Sequence, residues 1–178
     1  MIIFKETRVA GAFLIEPEKF EDQRGFFARS FSRTEFLEHG LRAEFVEAGI
    51  SFNLRASTVR GMHYQAAPNA QAKLVRCTRG AIFDALIDLR PDSPTYKKWD
   101  AYELSAQNRL MLYIPDGCAH GYQTLADESE IFYQLSAGYA PASERGVRWN
   151  DPVFGIAWPA TDGVIINDRD RNYPDFEG

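Results

Sequence analysis

Ala81-Ile82-Phe83-Asp84-Ala85-Leu86-Ile87-Asp88-Leu89 is the stretch that decides the fold class. Side chains alternate between the two faces of an extended strand. Phe83, Ala85, Ile87 and Leu89 therefore point one way, while Ile82, Asp84, Leu86 and Asp88 point the other. Asp84 shares its face with two aliphatic neighbours. If that face is an interior, the carboxylate needs a hydrogen-bonded partner, because an unpaired buried charge is very costly. If it is the solvent side, Asp84 is merely hydrated, and the stretch by itself leaves both readings open.

The same period of two, broken by Gly, Pro, Asn and Asp, recurs along the chain. It predicts strands over 45–53, 57–65, 73–78, 111–114, 121–125 and 131–136, with turns such as Pro91-Asp92-Ser93-Pro94 and Pro115-Asp116-Gly117. One short helix is predicted over 32–40, where Ser32 and Glu35 have the spacing of a capping box and Gly40 is placed to end the turn. His39, at its exposed end, reads as a solvated surface histidine. Many short strands with little helix predict an all-β chain, an antiparallel sandwich or barrel. The segment after Tyr139 has few strand patterns and many charges, and is expected to pack as a tail around the barrel.

A chain of 178 residues suits one domain, residues 1–178. Hydrophobic residues at 45% and charged residues at 25% support a packed core and leave no reason for disorder. A net charge of −5 and a pI near 5.3 argue against a nucleic-acid groove or a polybasic membrane surface. A few local arginines could still hold a small anionic ligand. Met1-Ile2-Ile3-Phe4-Lys5-Glu6 carries an acid too early for a signal peptide, and no apolar run reaches bilayer length. Cys77 and Cys118, each beside apolar residues, read as reduced, packed thiols, and a cytoplasmic location is expected by default.

Two of the three histidines have unusual settings. In Arg60-Gly61-Met62-His63-Tyr64-Gln65 the histidine shares a face with Val59, Gly61 and Gln65; in Pro115-Asp116-Gly117-Cys118-Ala119-His120-Gly121 it begins a strand after a tight turn. Each alone is ordinarily a satisfied structural histidine. A metal-binding cupin would want a His-x-His pair, and position 65 is glutamine, so a metal is disfavoured. The alternative is general base catalysis, for which imidazole suits neutral pH. Tyr133, on a face with Ile131 and Leu135, is either an inward acid or a core tyrosine. Strict alternation puts Arg60 opposite His63. The two reach one pocket only if the strand bulges or twists, which Gly61 allows.

A larger pattern joins these pieces. Asp22-Gln23-Arg24-Gly25-Phe26-Phe27, Arg60-Gly61-Met62-His63-Tyr64-Gln65, Lys73-Leu74-Val75-Arg76, Arg79-Gly80-Ala81-Ile82-Phe83-Asp84, Asp88-Leu89-Arg90, Leu104-Ser105-Ala106, Ile114-Pro115-Asp116-Gly117-Cys118-Ala119-His120-Gly121 and Arg148-Trp149-Asn150-Asp151-Pro152 occur in this order. Together they resemble the dTDP-4-dehydrorhamnose 3,5-epimerase family over almost the whole chain. The resemblance implies a cupin jelly-roll homodimer that needs no metal or other cofactor and acts on a nucleotide-linked 4-keto-6-deoxy sugar. By match of motif it implies that His63 is the base, Asp170 the carboxylate that orients it, and Tyr133 the group that returns a proton from the opposite face. It puts Lys73 close to the keto oxygen, makes His120 and Asp84 a second histidine–carboxylate pair, and gives Arg24 and Arg60 the diphosphate. Phe27, Arg29, Glu47 and Tyr139 complete the substrate-binding set it implies.

The chain also departs from the resemblance. Val46-Glu47-Ala48-Gly49-Ile50-Ser51 lacks the glutamine and asparagine that many members carry near the base-recognition segment; Arg29 stands where glutamate is frequent, and Gln134 where lysine is. Three readings follow: a 3,5-epimerase of rhamnose-type sugar synthesis, a relative that inverts one centre or takes another nucleotide sugar, and a non-catalytic sugar-nucleotide-binding cupin. The persistence of His63, Lys73, Tyr133 and Asp170 weighs against the third.

Overall fold

The computed structural model describes residues 1–177. Its elements are β1 (Ile2–Glu6), β2 (Phe13–Pro17), β3 (Lys19–Asp22), β4 (Gly25–Ala28), α1 (Arg33–Glu38), β5 (Glu47–Asn53), β6 (Val59–Gln65), β7 (Lys73–Arg79), β8 (Ala81–Asp88), β9 (Trp99–Ser105), β10 (Met111–Ile114), β11 (Cys118–Thr124), β12 (Ser129–Leu135), a 3₁₀ turn (Pro141–Ser143), β13 (Glu144–Gly146) and α2 (Asp168–Arg171). A six-stranded sheet in the order β1-β2-β10-β7-β12-β5 faces a five-stranded sheet in the order β13-β6-β11-β8-β9, and β3-β4 forms a separate ribbon. All strand pairs are antiparallel. The chain is an all-β sandwich of the cupin jelly-roll type.

The core between the sheets joins Val75, Cys77, Leu112, Ile114 and Ile131 from one side to Ile82, Leu86, Leu104, Cys118 and Tyr122 from the other. Ile82, Asp84 and Leu86 all face this interior and are fully buried, so the hydrated reading of Asp84 fails. Ala85 and Ile87, on the opposite face of β8, are also buried, because Val147, Trp149, Phe154 and Trp158 of the tail cover the five-stranded sheet. Cys77 and Cys118 are free, buried thiols; burial raises their pKa values to about 11 and about 12.

Helix α1 starts where its sequence predicts, with the Ser32 hydroxyl accepting from the Glu35 amide. The reciprocal half of the capping box is missing, since the Glu35 carboxylate instead accepts from the Ile2 amide, 2.9 Å away. His39 is exposed as expected, but its ring also stacks on Phe4 with centroids 3.9 Å apart. The strands β1 to β4, β9 and β13 and the helix α2 are additions to the elements predicted from periodicity. No helix among the described residues is long and apolar enough to cross a membrane.

Candidate active site

Strand β6 positions the site through a break in its pairing. Its register with β11 runs His63 to His120 and then Arg60 to Tyr122, so three steps on β6 match two on β11. The extra residue is a bulge at Gly61, and it turns both Arg60 and His63 to one side. Gly61 has φ +130°, and a Cβ on it would stand 2.4 Å from the Gly121 Cα. Only glycine fits that conformation at that approach.

The two faces enclose a cavity of about 260 Å³ at one end of the sandwich. From the five-stranded sheet come Arg60, His63, His120 and Tyr122; from the six-stranded sheet come Ser51, Lys73, Ile131, Tyr133 and Leu135; Tyr139 and Glu144 line it from the tail side. The bulge also frees the Gly61 amide to donate to Asp170 Oδ2 over 3.0 Å, while His63 Nε2 lies 2.8 Å from Asp170 Oδ1. Asp170 is fully buried. Burial alone would raise its carboxyl, but the contact with His63, the Gly61 amide and Arg169 outweigh that and hold it below the usual carboxylate range. A carboxylate at Nε2 favours the tautomer with its proton there, which leaves the lone pair of His63 on Nδ1.

Asp170 sits on α2, whose Asn167 side chain caps the first turn by accepting from the Asp170 amide. The parallel bridge of Thr58 to Ile165 ties this tail to the start of β6. A second pair lies deeper: His120 Nε2 is 2.7 Å from Asp84 Oδ1, and Asp84 Oδ2 has no hydrogen-bond partner among the described residues. Burial lowers the affinity of His120 for a proton despite Asp84. Lys73 Nζ donates to the His63 carbonyl over 3.1 Å. Burial brings its pKa down to about 8, against the opposing charges of Asp84 and Glu144.

Of the other residues singled out in the sequence, Glu47 is exposed and does not line the cavity, and its carboxylate accepts from the amide of Tyr139, which does, at 3.1 Å. The Tyr139 hydroxyl donates to Glu144 over 2.7 Å. Arg24, Phe27 and Arg29 do not line the cavity of their own chain. Arg24, at the turn of the β3-β4 ribbon, is paired with Asp22, and Arg29 lies near Glu35. The periodicity reading passed over Ser51, Tyr122 and Glu144. Tyr122 follows His120 by two on β11 and donates to or accepts from Ser51 Oγ at 2.8 Å; Asn53 Oδ1 in turn accepts from Arg60 Nε at 2.8 Å. Tyr122 lies inside the strand that periodicity places over 121–125, but no motif singles it out, and Glu144 sits in a strand too short to show a period.

Gln65, where a metal-binding cupin would carry histidine, spends its side chain on the backbone of Asn69, Gly138 and Ala140. No group of three or more His, Cys, Asp or Glu side chains that could hold a metal ion lies among the described residues.

The sequence profile of dTDP-4-dehydrorhamnose 3,5-epimerase matches residues 6–178. The chain belongs to this family. A dTDP-4-dehydrorhamnose 3,5-epimerase of Sinorhizobium fredii is 41% identical over 171 residues, covering 96% of this chain and 88% of that protein. A crystal structure of the Bacillus anthracis enzyme with TDP and PPi bound superposes with a TM-score of 0.94 at 40% identity, covering 99% of this chain and 100% of that one. A 3'-monoepimerase of Streptomyces bikiniensis in complex with dTDP-quinovose gives 0.86 at 33% identity, covering 94% and 84%.

Proposed function

We propose that this chain is an isomerase that inverts C3 and C5 of dTDP-4-dehydro-6-deoxy-glucose, each beside the C4 ketone, in deoxysugar synthesis of the rhamnose type. The observation that carries the proposal is the opposition of groups across one cavity: His63 on the five-stranded sheet, held by Asp170 of α2, and Tyr133 on the six-stranded sheet, with the Lys73 ammonium in the same chamber.

His63 Nδ1 takes the proton from the carbon beside the ketone. The C–H electron pair moves to the C4 oxygen, and the Lys73 ammonium stabilises the enolate that forms. Asp170 holds the imidazole and offsets the charge that His63 gains. The electrons then return to the carbon, which takes a proton from the Tyr133 hydroxyl on the other face, so the centre inverts. His63 gives its proton to solvent, and the phenolate regains one. Arg60, fixed by Asn53, offers a fork suited to the diphosphate. In this reading the chain works as one domain, because the tail supplies Asp170 to a base on β6, and it works in the cytoplasm, where its two buried thiols stay reduced.

Single-centre inversion, or another nucleotide, has support of its own. Glu47 is acceptor-only and already engaged by Tyr139, and Gly49 offers the base no side chain. The working unit in either case is a homodimer, in which the exposed β3-β4 ribbon brings Arg24 and Phe27 to the partner's cavity.

Solvent deuterium exchange tests the reaction and counts the centres. The wild-type protein is expected to place label at C3 and C5; label at one carbon alone supports the single-centre reading. His63→Ala should abolish wash-in and product together. Tyr133→Phe should cut epimerised product by about 10² to 10⁴ while exchange persists through return to the original face. Asp170→Asn should fall between them. A His63→Ala protein that exchanges at the wild-type rate sinks the scheme.

A further inference from the structure

The tail reaches His63 at two points. Asp170 accepts at Nε2, and a little further along the chain Tyr173 brings its ring beside the imidazole, with centroids 6.2 Å apart in a T-shaped arrangement at 69°. Where that ring stands follows from the pairing of β13 with β6. Gly146 is the direct cross-strand partner of His63. Opposite residues of an antiparallel pair project to one face and lie side by side, so a side chain at position 146 would be the neighbour of the imidazole. The Tyr173 ring fills that place: a Cβ on Gly146 would overlap its Cζ, Cε2 and Cε1, the farthest of the three at 2.5 Å. Glu144, on the same face of β13 as Gly146, lines the cavity, while Tyr173 lies just outside it.

On its other side His63 has His120 of β11 as neighbour, but β13 is the edge strand of the five-stranded sheet, and the tail alone closes that flank. One hydrogen bond fixes the tip of an imidazole and still lets the ring tilt; a rotamer is locked only when packing holds it as well. The Tyr173 ring is itself anchored from both directions. Before it, the Asn172 amide closes α2 on the carbonyls of Asp168 and Arg169. After it, Asp175 pairs with Arg148, and the Phe176 amide donates to Asp151 Oδ2 over 2.6 Å. We propose that Tyr173 is a positioning residue for the base: its ring walls the imidazole on the open edge of the sheet, so that Nε2 stays on Asp170 and Nδ1 stays turned to the substrate. The inference rests on the proton-transfer reading above and adds a residue that lies outside the cavity.

The experiment compares Tyr173→Ala with Tyr173→Phe in the full-length protein by steady-state kinetics, solvent deuterium wash-in and the nitrogen-coupled proton signal of the His63 ring. Tyr173→Ala should lower kcat and wash-in together by about five- to twentyfold with KM within about twofold, because a base free to tilt spends less time in line with the C–H bond. Tyr173→Phe keeps the wall and should stay within about twofold of wild type throughout. The Nε2 proton that Asp170 holds should give a sharp low-field signal in the wild type, missing from His63→Ala, that broadens in Tyr173→Ala and survives in Tyr173→Phe. The matching proton of His120 on Asp84 is the internal control and should not change. Gly146→Ala serves if Tyr173→Ala does not fold: it keeps the tyrosine but occupies the place of its ring, and should reproduce both the loss of kcat and the broadening. Wild-type kcat with an unbroadened His63 signal in the variant that folds, equal losses in Tyr173→Ala and Tyr173→Phe, or a loss confined to KM overturns the proposal. A wild-type protein that neither exchanges nor epimerises nucleotide 4-keto sugars overturns the functional reading instead, and the His63 signal in the ring variants still decides whether Tyr173 holds the imidazole.

Discussion

Lys73 gives the site a pH dependence whose sign can be worked out. Its ammonium is the form that stabilises an enolate, and burial lowers its pKa from 10.5 to about 8. The useful charge is present below that value, so turnover should fall as pH rises through about 8. Stability should move the other way. Between the folded and unfolded values the unfolded chain binds more protons at this group, so its contribution to folding rises with pH across that window. A pH profile of kcat recorded beside thermal unfolding separates the two. Lys73→Arg, whose guanidinium stays charged throughout, should be slower at neutral pH but lose the falling limb; a limb near 8 that persists in this variant rules out Lys73 as its source. Residue identities of this kind were only partly legible in the sequence. The carboxylate of Asp170 lies 107 positions from His63, and no local period links the two; the motif resemblance did. Asp84 stayed ambiguous because both faces of β8 are buried, one by the opposite sheet and the other by tail residues far along the chain.

Strand β6 shows how an element can be read correctly in kind and still need its partner for detail. Alternation placed it, and the conflict between Arg60 and His63 located the irregularity at Gly61. The register shift against β11 gives that irregularity its form. Gly61→Ala should be among the most damaging small substitutions in the chain, because it adds left-handed strain to an overlap with the Gly121 backbone. About 2 to 6 kcal/mol of lost stability is expected, read by denaturant titration. A loss below about 1 kcal/mol would mean that the bulge relaxes without glycine. The elements that periodicity missed have a common cause. Lys19–Asp22 and Gly25–Ala28 form a ribbon that neither sheet covers, and nearly every residue in it is exposed, so no apolar face exists to set a period. Helix α2 is four residues long and all charged, and it is held in place by Asn167 and by the burial of Asp170.

That uncovered ribbon becomes intelligible at the scale of the whole molecule. Phe20, Phe26 and Phe27 are 56%, 46% and 69% exposed, and on edge strand β5 Ile50 and Phe52 are 65% and 41% exposed. Large apolar side chains gathered on a ribbon and an open sheet edge mark a surface for association. Arg24 stands on the same ribbon, outside the cavity of its own chain, while Arg60 lies inside it. A two-fold assembly that buries the ribbon against a second copy would cover these residues and carry Arg24 to the partner's cavity. Light scattering should then give twice the 20.2 kDa of one chain at micromolar concentration. Complementation tests the shared site itself. Arg24→Ala loses the ribbon's cation, His63→Ala loses the base, and each homodimer should be nearly inactive at low substrate concentration. Co-refolded in equal amounts, half of the molecules are mixed dimers, each with one cavity that has both His63 and a partner's Arg24, so about a quarter of wild-type activity should return. If each chain completes its own site, every cavity in the mixture carries one of the two defects and no activity returns.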